Sequence, residues 1–219
     1  MVDQSLLKSK YVAYAHEGKE FVKALEDGTV QVMNESYFAF NQDTGEIKGY
    51  SSIAPYDDIT ELIIPAEIGG VTVTKVGMDA FSSHDLIRVV MPSTVTVIEE
   101  NAFADNKLPY IRLPLYLEEI HEGAFQLNQL TEVIIPDAVK LIETEAFADN
   151  NTKEIYLGSD IQFGGSRMFK WSMVEGIVNG SQLTVKEIAT LLDLQVNADK
   201  EKRTVTIGQG KDAIKVVNK

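Results

Sequence analysis

Four phenylalanines, Phe81, Phe103, Phe125 and Phe147, recur at one unvarying interval, and everything around them repeats in step. Ala80, Ala102, Ala124 and Ala146 precede them, and His84, Asn106, Asn128 and Asn150 follow three positions later. Pro65, Pro92, Pro114 and Pro136 lead them, each just after an apolar pair. A unit this short cannot enclose a core alone. It buries its apolar side only by stacking on copies of itself, so a fixed period of about 22 residues specifies a solenoid.

The fourth repeat, residues 130–151, shows the grammar. Val133 and Ile135 alternate with Glu132 and Ile134, a two-residue period that predicts a short strand. Pro136 ends it, because proline has no N–H for a ladder. Val139 and Ile142 lie on a return leg, and Ala146-Phe147 turn inward from a single helical turn. Stacked repeats then form a parallel sheet with a phenylalanine spine beside it. The Asn series recurs where the backbone turns, and a buried amide there can satisfy the turn's orphan N–H and C=O groups. His84 fills the first slot of that series and reads as its end rather than as a catalytic base.

The blocks Glu61-Leu-Ile-Ile-Pro65, Thr131-Glu-Val-Ile-Ile-Pro136, Ile98-Glu-Glu-Asn-Ala-Phe103, Ile120-His-Glu-Gly-Ala-Phe125 and Ile142-Glu-Thr-Glu-Ala-Phe147 resemble the BspA-like leucine-rich repeats of bacterial surface proteins. The lead-in from Phe38 to Tyr50 looks like that family's usual first strand pair, and the match covers about residues 36–160. There are two departures. The step from Pro65 to Phe81 is five positions longer than the step from Pro92 to Phe103, so the first repeat carries an insertion around Gly69-Gly70. The family's frequent cysteine in the Asn slot is absent.

The expected fold is an α+β repeat: a leucine-rich-repeat solenoid over 38–160 with a parallel strand face, plus a small C-terminal α/β-hairpin module. Residues 1–37 read as an N-terminal cap, with a strand at Thr29–Met33. The fifth repeat begins at Thr152 but places Gly158 where proline should be, with no Ala-Phe after it, so 161–180 reads as a closing cap and linker. From Ser181 the grammar changes. Leu183–Leu192 has helical apolar spacing, and Thr184 and Glu187 fit a capping box. Three short alternating segments follow, at 194–196, 204–207 and 213–217. This tail is similar to the small module first named in copper amine oxidases, a stalk on bacterial exported proteins. The name implies no copper here, since residues 173–219 contain neither His nor Cys.

Composition sets outer limits. No apolar run approaches the length that spans a bilayer, about 18–20 residues, so no membrane insertion is expected. Residues 1–180 hold 13 Lys+Arg against 28 Asp+Glu, whereas 181–219 hold 7 against 5. A solenoid this acidic repels phosphate backbones, which argues against nucleic acid as partner. The absence of cysteine excludes disulfides, thiolate catalysis and zinc–thiolate sites. Met1-Val-Asp-Gln-Ser is not a signal peptide, while the family resemblance implies an extracellular or cell-surface protein, so a leader removed from this chain is expected.

The chain has three histidines, His16, His84 and His121, and their repeat phases place His84 and His121 on different sides of the coil. It has no His-Glu-x-x-His, no Gly-x-Ser-x-Gly and no phosphate-cradling glycine loop. No catalytic, cofactor-binding or metal residues are assigned, and no enzyme is expected. The informative surface is the strand face. Its first outward row is Glu61, Arg88, Tyr110, Glu132 and Glu154, and its second is Ile63, Val90, Arg112, Ile134 and Tyr156. Aliphatic, tyrosine and arginine side chains are the types enriched at interfaces, although β-branched residues also simply suit strands. Five strands give a face of roughly 340 Å² in projection, against about 800 Å² for one side of a standard interface. The expectation is a non-enzymatic surface or secreted interaction protein. The resemblance implies adhesion, with a protein, peptide or glycan ligand held on this face and avidity from many copies. The alternative is a structural spacer without its own ligand.

Overall fold

The computed structural model describes residues 33–159, 161–170, 172, 174–181, 187–188, 196–199, 204–207 and 214–218. The expected N-terminal cap and its strand lie almost wholly outside the described residues.

The phenylalanine spine is the axis of the molecule. Phe81, Phe103, Phe125 and Phe147 are fully buried. Their rings stack in order, with centroids 5.7, 5.4 and 5.3 Å apart. The stack runs one ring further than expected, because Phe169 lies 5.3 Å from Phe147 with planes only 7° apart. Phe169 stands one full period after Phe147, but Met168 replaces the alanine that marks the other rings. The repeat therefore continues through the segment expected to be a closing cap. At the other end the stack is closed edge-on. Phe38 and Tyr50 meet the Phe81 ring at 85° and 74°.

Two legs flank this spine. On the return leg, β2 (Glu46–Tyr50), β6 (Lys75–Val76), β8 (Val97–Ile98), β9 (Glu119–Ile120), β11 (Leu141–Ile142) and β13 (Gln162–Phe163) form one unbroken ladder. Beyond β2 every pairing in it is parallel. β1 (Phe38–Asn41) joins β2 antiparallel as the expected first strand pair. This second sheet was not expected, because such minimal strands are too short to show a period.

The strand leg is interrupted. β3 (Glu61–Ile63) pairs with β7 (Arg88–Val90) in parallel. β10 (Glu132–Ile134) pairs with β12 (Glu154–Leu157), and β12 with β14 (Gly176–Asn179). Residues 110–113 of the third repeat form no strand. On the side of β7 one donor is missing. In the neighbouring repeats the corresponding amides of Ile87, Thr131, Lys153 and Glu175 each bond to the carbonyl one repeat back, at 2.7–3.2 Å. The third repeat has Pro109 in that position and cannot donate to Ile87.

The bends between legs are turns rather than the expected helical turn, and the described residues are mainly short strands, turns and irregular chain, with 3-10 helices at Glu35–Tyr37 and Tyr56–Asp58. Two series of positions adopt the left-handed conformation, Asp79, Asn101, Gly123, Glu145 and Arg167, then Ser83, Asp105, Leu127 and Asp149, and Asp85 joins them in the first repeat. The insertion in the first repeat folds as a hairpin of β4 (Glu67–Ile68) and β5 (Val71–Thr72). Gly69 and Gly70 turn it with φ of 60° and 79°, as a two-residue hairpin loop requires. Gly158 replaces proline because the backbone closes in there. A Cβ on it would stand 2.5 Å from the Pro136 carbonyl oxygen.

The Asn ladder forms as expected. Asn106, Asn128 and Asn150 are all buried. Each accepts from the backbone N–H of the leucine one repeat back, Leu86, Leu108 or Leu130, at 2.9–3.1 Å. Each also donates to the carbonyls of its own phenylalanine and the previous one, so one amide ties two layers together. The ladder stops at Ser172, whose buried Oγ has no partner among the described residues.

In the C-terminal tail, β16 (Thr204–Ile207) coincides with an expected strand and β17 (Ile214–Asn218) is one residue off another, whereas β15 (Val196–Asp199) overlaps the expected 194–196 only at Val196. β15 and β17 each pair antiparallel with β16, and β17 pairs parallel with β14, so the tail extends the sheet of the strand face. Of the expected helix only Glu187–Ile188 is described, and both residues are helical.

Candidate functional site

The ten residues expected to form an outward face do not all face outward. At its N-terminal half, Val90 is fully buried and Ile63 is 9 % exposed. Met33 comes alongside β3, its amide donating to the Ile63 carbonyl at 3.3 Å and its side chain packed on the core. A strand covered on both sides loses the inside–outside alternation on which the expectation rested. Glu61 and Arg88 do share the first row, and they form an ion pair at 3.3 Å, with the arginine side chain only 18 % exposed. Tyr110 and Arg112 are half-buried on the segment that forms no strand.

The C-terminal half matches the expectation. β10 alternates exposed, buried, exposed, with Glu132 and Ile134 outward and Val133 in the core. β12 and β14 continue this in register: Glu132, Glu154 and Gly176 form one row, and Ile134, Tyr156 and Val178 the next. Ile134 is 36 % exposed, at the end of β10, the outermost strand of this sheet. The Tyr156 hydroxyl donates to Glu154 Oε2 at 3.1 Å. That bond, with burial and the neighbouring Glu154 and Glu132 charges, holds the phenol above its ordinary pKa.

The histidines fall apart as their phases indicate. His84 packs at the solenoid's start, edge-on to Tyr50 at 4.9 Å and near Tyr56 at 5.9 Å. Desolvation lowers its pKa, opposed by Asp57. His121 is on the return leg, with Nδ1 3.0 Å from Glu143 and Nε2 3.2 Å from Glu119. Both ring nitrogens are engaged by carboxylates, an arrangement that holds the ring in place. Among the described residues no group of three or more His, Cys, Asp or Glu is placed to hold a metal ion. Among the same residues no helix is long and apolar enough to cross a membrane.

This geometry defines a repeat protein whose variable surface is one side of a stacked coil. The chain belongs to the BspA type leucine rich repeat family, whose model matches six copies over residues 55–188. That span runs past the end expected for the solenoid, in agreement with Phe169 and β14. Among solved structures, the T. pallidum leucine rich repeat protein TpLRR is similar at 22% identity and a TM-score of 0.57. The match covers 68% of this chain and 72% of that one. It supports the fold. A leucine-rich repeat protein from Bacteroides ovatus ATCC 8483 also matches, at 17% identity and a TM-score of 0.37, over 68% of this chain and 59% of that one. No curated protein matches. None of these comparisons supports the copper amine oxidase resemblance of the tail.

Proposed function

We propose that the chain is a non-enzymatic interaction protein, secreted or held at a cell surface, that engages an extracellular protein, peptide or glycan through the C-terminal half of its strand face. The observation that carries this reading is Ile134. It is an exposed aliphatic residue at the end of β10, the outermost strand of its sheet, beside Tyr156 of the next strand. Family membership supports a role in protein interaction. The face is small against a standard interface of about 800 Å² per side, so single contacts are weak and display in many copies supplies avidity.

The test is an array of extracellular-matrix proteins and glycans probed with the wild-type chain and the double variant Ile134→Ala/Tyr156→Ala. Capture by the wild type that is lost in the folded variant supports the assignment, and equal capture by both sinks it. The burial of Ile63 and Val90 favours a second reading, in which so little face remains that the chain is a spacer. That reading expects no capture by any member of the array.

A further inference from the structure

We draw no further inference here: the strongest candidate, the outward row of Ile134, Tyr156 and Val178 on β10, β12 and β14, belongs to the site already described, and nothing in the structure shows what covers it.

Discussion

The two legs of the coil obey different rules. The return leg pairs without interruption from Glu46 to Phe163, whereas the strand leg breaks at the third repeat and is covered at Ile63 and Val90. The spine and the Asn ladder keep strict phase between them. Stacking is thus enforced by one leg, the rings and the buried amides, and the other leg is free to vary. A solenoid that holds itself together on one side can present what it likes on the other, and the candidate site lies on the permissive side.

The largest expected contrast between the legs comes from deleting one side chain on each. Phe125→Ala should lower unfolding free energy by about 3–5 kcal/mol, since the ring is fully buried between two others. Ile134→Ala should stay within about 0.5 kcal/mol. Urea denaturation measures both, and comparable losses would erase the distinction. Next, Ser172→Asn should extend the amide ladder by one layer and stabilise by about 1 kcal/mol, by giving a buried hydroxyl that has no partner among the described residues its repeat's own solution. A loss of midpoint would mean the ladder cannot run further.

Pro109→Thr should return the missing donor, slow amide exchange over residues 110–113 and add no more than about 1 kcal/mol. Unchanged exchange would show that the break has a cause other than proline. The smallest effect concerns pH. The folded state holds the His84 pKa below its ordinary 6.5, so the unfolded chain binds the proton more readily. The contribution is constant above about pH 6.5 and diminishes as pH falls below it. His84→Asn should lack that decline, so its stability relative to the wild type should rise towards pH 5. A constant difference across that range would contradict the shift.

Much of this was legible in residues. The fixed spacing marks the spine, Gly69-Gly70 marks the hairpin insertion, and the Asn series marks the ladder. Phe169 was equally legible by counting on from Phe147, and Met168 and Gly158 hid it only from a reading that required Ala and Pro. The left-handed positions show through Asp79, Asn101 and Gly123 but not through Glu145, Arg167 or Leu127. The face was half legible. Alternation assigns Ile134 and Tyr156 correctly, but whether a strand has one open side depends on chain elsewhere, and nothing within Arg88–Val90 records that Val90 is covered.

From Phe125 to Phe169 the rings are separated by a constant 5.3 Å, with tilts of 6° and 7°. One layer maps onto the next by little more than a shift. Duplicating a single repeat within that stretch would lengthen the molecule by about 5 Å and leave both ends as they are. Reach is then inherited by copy number, separately from any change in what the surface recognises.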